Sequence, residues 1–234
     1  MMKQGMRVMK KIAIILPFSI ILAMADWHPL KPINSYSGRD FTLKKGVEYV
    51  EIKELYIFKP IYPQAKKKIR KCSVLTLYKK PLRYFDKKVE NDFKKLPLSD
   101  KDNNAFIHTS QSHLTGVEYW YYNAFMLDSN LKTWRIERVE ELIDMVNPID
   151  TPAEVKLVMW VNGYAEGTLT YQENYQAKYK KSGKDYMVKE HYTVTDTAYG
   201  ECGVYTYQSI VTRAGKVRSR KLLKRDPVEE CGGE

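Results

Sequence analysis

Residues 155–164 read VKLVMWVNGY, and the fold of the C-terminal half turns on how this run is taken. Val155 to Val161 carries apolar side chains at nearly every position, as a strand buried on both faces would. Asn162-Gly163 then supplies the residue pair that most readily adopts the positive φ values of a two-residue type I′ turn. On that reading the chain returns through a second arm, with Trp160 opposite Ala165 and Val158 opposite Gly167, large side chains facing small ones.

Working outward, Ser182-Gly183 signals a second hairpin that sets Tyr179 opposite Tyr186. Its second arm places Tyr186, Val188, Tyr192 and Val194 on one face at the period of two expected of a half-buried strand. Ala214-Gly215 signals a third, between Val204 to Thr212 and Lys216 to Leu223. Three hairpins in series predict a C-terminal antiparallel meander of about six strands, either a curled sheet or half barrel, or one layer of a sandwich. All 18 tyrosines follow residue 25, and tyrosine suits strands, where the ring packs while the hydroxyl stays wet. The class is therefore mainly β, of α+β type, with one or two short helices in the first half.

Toward the N-terminus, Asp40 to Leu43 and Val47 to Phe58 read as strands around Lys45-Gly46, and Cys72 to Tyr78 as another. Phe85, Val89, Phe93 and Leu96 recur at helical spacing, which predicts an amphipathic helix from Tyr84 to Leu96 with its lysines outward. Val117 to Leu127 is an aromatic strand with Thr133 to Arg138 as its partner, and Val139 to Val146 a short helix ended by Asn147-Pro148. No repeat or linker divides residues 26–234, which read as one domain. The Pro-bearing stretch from Asn147 to Pro152 is the best place for a hinge.

Residues 1–25 are different in kind. Lys3, Arg7, Lys10 and Lys11 precede an apolar run from Ile12 to Ala25, closed by Ala23-Met24-Ala25: the cationic, apolar and small-residue order of a cleaved bacterial secretory signal. About 14 apolar residues are too few to span a bilayer core, which needs roughly 20. The expectation is a mature chain that begins at Asp26 and is periplasmic or secreted. Met9 opens an equally complete signal, so the first eight residues carry no structural meaning.

Cleavage removes four of the 39 basic residues and none of the 28 acidic ones, so a net charge of +11 becomes +7. What remains is concentrated between Lys59 and Lys95, where 13 Lys or Arg face three acids, Asp86, Glu90 and Asp92. So dense a patch favours an anionic partner. For an exported chain that means an envelope surface or polymer, or a protein partner, and not nucleic acid. The surface expected to carry it joins Lys66, Lys67 and Lys68 to Lys87, Lys88, Lys94 and Lys95 on the outward side of the helix. A solvated face that only keeps the protein soluble is the plainer reading of the same residues. The second basic run, Arg213 to Arg225, reads as an exposed edge strand whose charges oppose aggregation.

Three cysteines follow the signal. Cys72 opens an apolar strand and reads as a small core residue; Cys202 and Cys231, one beside glycines and one in a polar tail, are the expected disulfide. No catalytic motif occurs: there is no G-x-S-x-G, H-E-x-x-H, P-loop or G-x-G-x-x-G, and nothing signals a cofactor. His108 and His113 are the only histidines near each other, but a gap of five does not place both on one helical face, and no metal site is expected from them. Asp100-x-Asp102-x-Asn104 opens like a calcium loop but has Ala105 where glycine is needed and Gln111 where glutamate is. His191 reads as solvent-exposed and His28 as too near the new terminus to be ordered.

These features exclude the common enzyme signatures and leave three classes. First is a non-catalytic envelope protein that binds through its β surface and basic segment. Second is a carrier in which the curled meander and the aromatic strand close over an apolar ligand held by Trp120, Tyr122, Trp134 and Trp160. Third is a hydrolase whose site is assembled only in the fold. An outer-membrane barrel is disfavoured, since the terminus ECGGE lacks a closing aromatic strand and the lysine block could not face lipid.

Overall fold

The computed structural model describes residues 26–62, 64, 66–101, 107–113, 115–162, 172–194 and 203–227. The signal segment, the arm of the first hairpin around Ala165, and both Cys202 and Cys231 lie outside the described residues.

The described residues form two antiparallel five-stranded sheets. In the first, the order is β1 (His28–Leu30), β7 (Gln172–Ser182), β8 (Asp185–Val194), β9 (Gly203–Val211) and β10 (Val217–Asp226). In the second, β3 (Lys68–Tyr78), β2 (Val47–Pro60), β5 (Gly116–Asp128) and β4 (Ile107–His113) follow one another, and the short β6 (Thr133–Ile136) shares the outer edge of β5 with β4. Neither sheet closes into a barrel. Three helices complete the description: α1 (Lys87–Lys94), α2 (Val139–Met145) and α3 (Pro152–Val161).

The run that opened the sequence reading is α3, a helix and not a strand. Every residue from Ala153 to Val161 is buried, because α3 packs against both sheets at once: Trp160 meets Tyr122 of β5 edge to face at 5.6 Å, and Lys156 Nζ lies 4.4 Å from the Tyr175 ring of β7. A helix covered on all sides has no polar face, so its 3.6-residue period vanishes and its composition mimics a buried strand. Its start is nonetheless encoded. Thr151 accepts from the Glu154 amide and Glu154 reaches back to the Thr151 amide, a capping box, with Pro152 in the first turn. Asn162 makes no hairpin turn; its side-chain amide donates to the Val158 carbonyl at 2.8 Å.

The meander is present: among the described residues it runs through four consecutive strands, β7 to β10, with β1 added beyond β7, and α3 takes the place of the expected first strand. Its first hairpin turns one residue later than predicted, around Gly183 (φ +61), so Tyr179 pairs with Val188, not Tyr186. The shift is two residues in register and leaves the faces unchanged: Tyr186, Val188 and Tyr192 are buried on one side. The β9–β10 turn uses Gly215 at φ +74, where a Cβ would also collide with Ile143 of α2. Positive φ and close approach both require glycine there.

Residues 38–40, at the start of the predicted strand Asp40–Leu43, form a 3-10 turn. His28 is ordered within β1, opposite Tyr179. The hinge stretch is tied to the β9–β10 turn: Ile149 N–H donates to the Arg213 carbonyl (2.8 Å), and Arg213 grips Asp150 with two hydrogen bonds of 2.9 and 2.8 Å.

One core runs through the molecule. Val50, Ile52, Leu75 and Leu77 of the second sheet, α3, and Ala177, Tyr186, Val188 and Val211 of the first sheet belong to a single buried cluster. The opposite face of the second sheet carries a smaller core, in which Tyr49, Phe125 and Leu127 hold α1 through Phe93.

Candidate anion-binding groove

Docking of α1 builds the site. Phe93, fully buried, meets Tyr49 edge to face at 5.2 Å and Phe125 at 6.5 Å. Asp86 caps the helix by accepting from the Lys88 amide at 2.8 Å. The anchored C-terminal end of α1 then runs beside β3, an edge strand, and a groove of about 460 Å³ opens between them.

Four lysines line this groove, Lys53, Lys71, Lys94 and Lys95, together with Leu96, Pro97 and Leu98. Lys53 is fixed in place. Its Nζ is 3.7 Å from Glu51, 3.4 Å from the Phe93 carbonyl, and 5.4 and 5.6 Å from the Phe93 and Phe125 rings. Glu51 is the one acid in the lining and is matched by Lys53. Glu90 on α1 holds Lys94 at 2.6 Å and Lys87 at 3.6 Å; the Lys94 hydrogen bond draws its carboxyl below the ordinary range. Among the described residues Lys71, Lys88 and Lys95 form no ion pair, so the rim keeps a clear positive excess. A bulge in β3 opposite Ile52 and Lys53 adjoins Ser73, which with Cys72 is part of the groove wall.

Not all the predicted lysines gather here. Lys94 and Lys95 line the groove, and Lys87 and Lys88 stand exposed on the outward side of α1. Lys66, Lys67 and Lys68 are exposed at the far tip of the β2–β3 hairpin, where Lys68 pairs with Phe58. Five strand residues, about 17 Å at 3.4 Å each, separate that level from Lys53. The basic segment is thus two regions along one edge strand, joined by Arg70 and Lys71. Lys53 lies outside the basic run between Lys59 and Lys95. Its only sequence signal is a charge facing the same side of β2 as Tyr49 and Glu51, which means something only once α1 covers that side.

Cys72, expected in the core, is exposed. Edge strand β3 leaves residues 68–73 uncovered, and the Cys72 thiol lies 3.7 Å from Glu54 Oε1; burial first, then the Glu54 charge, pushes it above its usual value.

Of the four aromatic residues expected to hold a ligand, Trp134 borders an open groove, with Val89 and Leu131. Tyr122 and Trp160 fill the core against each other, Trp120 packs beside Tyr56 at 5.6 Å, and Trp134 is 51% exposed with its indole N–H on Asp128.

The tyrosine richness has a structural use. Tyr192, Tyr205 and Tyr207 stack across β8 and β9 with centroids 5.9 to 6.2 Å apart, and Tyr175 joins Tyr192 at 6.2 Å. A bulge in β10 at Ser219, φ +54, turns Arg220 inward, 4.0 Å over the Tyr207 ring and 3.4 Å from the fully buried Glu190. Desolvation raises the Glu190 carboxyl against the pull of Arg220 and the Tyr175 hydroxyl. The rest of β10 is the basic edge strand that the sequence implied.

His191 is exposed on β8 with Nδ1 at 3.1 Å from Thr206 Oγ1. His108 pairs with Tyr121 and His113 with Gly116, five positions apart on β4. Among the described residues no group of three His, Cys, Asp or Glu converges as metal ligands, and no helix is long and apolar enough to cross a membrane. No family model, no curated protein and no solved structure matches the chain. Fold and site together define an open, helix-filled two-sheet β protein with a lysine-lined groove on one edge.

Proposed function

We propose that the protein is exported and acts at the cell envelope as a non-catalytic binding protein, taking hold of an anionic component through the groove between α1 and β3. The observation that carries this reading is the convergence of Lys71, Lys94 and Lys95 beside the immobilised Lys53 ammonium, in a groove open to solvent. Lys53, held in place by packing, loses little freedom when an anion arrives, whereas a freely moving surface lysine must be ordered first. The carrier reading has less support, because Tyr122 and Trp160 are spent on the core, Trp134 stands exposed, and the sheets stay open.

The test is binding of the mature chain to a soluble anionic polymer across a salt series. Affinity should fall steeply with salt, since exposed charges are screened over about 8 Å at physiological ionic strength. The triple variant Lys71→Glu, Lys94→Glu, Lys95→Glu should lose at least tenfold while its circular dichroism stays unchanged. Salt-insensitive binding, or none to any polyanion, would return the lysines to a solubilising role.

A further inference from the structure

We infer that the β2–β3 hairpin tip is a membrane-surface anchor, a second site whose partner is an anionic lipid bilayer. This rests on export of the protein but not on the groove. Beyond the ladder of β2 and β3 the hairpin presents Ile61 and Tyr62 to solvent, 60% and 59% exposed. At the end of a 14-residue strand, two adjacent apolar side chains are thus left more than half uncovered by the described residues. The Ile61 N–H donates to the Thr115 carbonyl at 3.1 Å, so the base of the tip is held against the adjoining β4–β5 turn.

The charge around the tip names the occupant. From Lys59 to Lys71 the chain carries six cations and no acid. Arg70 is engaged by Glu54 at 3.0 Å, and Lys59 lies over the Tyr119 ring at 4.5 Å; among the described residues Lys66, Lys67, Lys68 and Lys71 form no ion pair. A protein-binding tip would be expected to shed such charge, since lysine is depleted at interface cores. An aliphatic and an amphipathic aromatic side chain ringed by lysines is the composition that settles at a bilayer interface, with the apolar groups about 5–10 Å deep among the acyl boundary and the cations at headgroup phosphates. Continuing the Phe58–Lys68 register, Lys66 and Lys67 come level with Pro60 and Lys59, two and three residues or about 7–10 Å behind Tyr62, at headgroup depth. Each such lysine contributes about fivefold to partition onto an anionic surface.

Sedimentation of the mature chain with phosphatidylglycerol–phosphatidylcholine vesicles, with pure phosphatidylcholine vesicles, and titration with dextran sulfate decide the matter. The wild type should bind the anionic vesicles at least tenfold more tightly than the neutral ones. Ile61→Ser with Tyr62→Ser should cost at least tenfold on anionic vesicles and leave dextran sulfate affinity unchanged, while Lys66→Gln, Lys67→Gln, Lys68→Gln should cost at least tenfold on the same vesicles. Vesicle affinity within twofold of wild type in the Ile61/Tyr62 variant, or equal binding to neutral vesicles, overturns the anchor. Absence of vesicle binding together with self-association that the same variant removes overturns it in favour of a protein contact. The groove variant Lys71→Glu, Lys94→Glu, Lys95→Glu separates the two sites. Unchanged dextran sulfate binding there defeats the groove and leaves the anchor standing.

Discussion

Replacing Glu154 by alanine should destabilise the protein by about 3 kcal/mol. Its side chain is fully buried, and its carboxylate accepts from three backbone amides, those of Thr42 at 2.7 Å, Asp150 at 2.7 Å and Thr151 at 2.9 Å. Hydrogen bonds to a charged group contribute about 1.5–3 kcal/mol each, so the low end for three is about 4.5 kcal/mol. Thr42 and Asp150 are exposed residues, and their amides recover part of this from water once the carboxylate is gone. Relief of the buried charge offsets a little more. Thr151→Ala, which removes only the other half of the capping box, should cost about 1 kcal/mol. Urea denaturation of the mature chain measures both, and because the two residues cap the helix reciprocally, the double variant should lose less than the sum. A loss under about 1 kcal/mol for Glu154→Ala, or strict additivity with Thr151→Ala, would refute the view that this carboxylate ties α3 and the segment before it to the chain near Thr42.

Phe93→Ala should cost about 3–5 kcal/mol, the range for a buried aromatic, and should weaken polyanion binding by releasing α1; unaltered stability would mean that α1 is not held by this ring. Stability should also fall in acid. Arg213 draws the Asp150 carboxyl below its ordinary 3.8, so the stabilisation is complete above that value and is lost as pH falls through the lower folded value. Arg213→Met should therefore lower stability at pH 7 but hardly at pH 2, and a parallel offset at all pH values would contradict the pairing. Cys72 should react with maleimide in the native state, with a rate that climbs at higher pH than for an ordinary thiol because burial and Glu54 raise it, and Cys72→Ser should remove one equivalent of native labelling; no change in labelling would show the thiol covered.

Much of this architecture was legible in the chain. The alternation of Tyr186, Val188 and Tyr192 predicted one buried face of β8, and Gly183 and Gly215 marked the two turns because each takes a positive φ that other residues adopt at a cost. Val89, Phe93 and Leu96 found α1 because one side of that helix is wet and the period survives. The same logic explains the failure at Val155 to Val161. With both sheets packed on α3 there is no wet side, and an apolar run followed by Asn-Gly looks like a hairpin. The capping box of Thr151, Pro152 and Glu154 was the local signal that could have corrected it.

By itself, then, the sequence determined what is local: the turns, the amphipathic helix, the strand alternation and the sign of the charge between Lys59 and Lys95. The tertiary structure alone decided that α3 is a helix wedged between two sheets, that Ser219 turns Arg220 onto Glu190, and that Lys53 and Lys71 join Lys94 and Lys95 while Lys66 to Lys68 stand at the hairpin tip. The physical reason is that a side chain's chemistry travels with its residue, but the face it presents and the neighbours it meets depend on contacts between segments far apart in the chain.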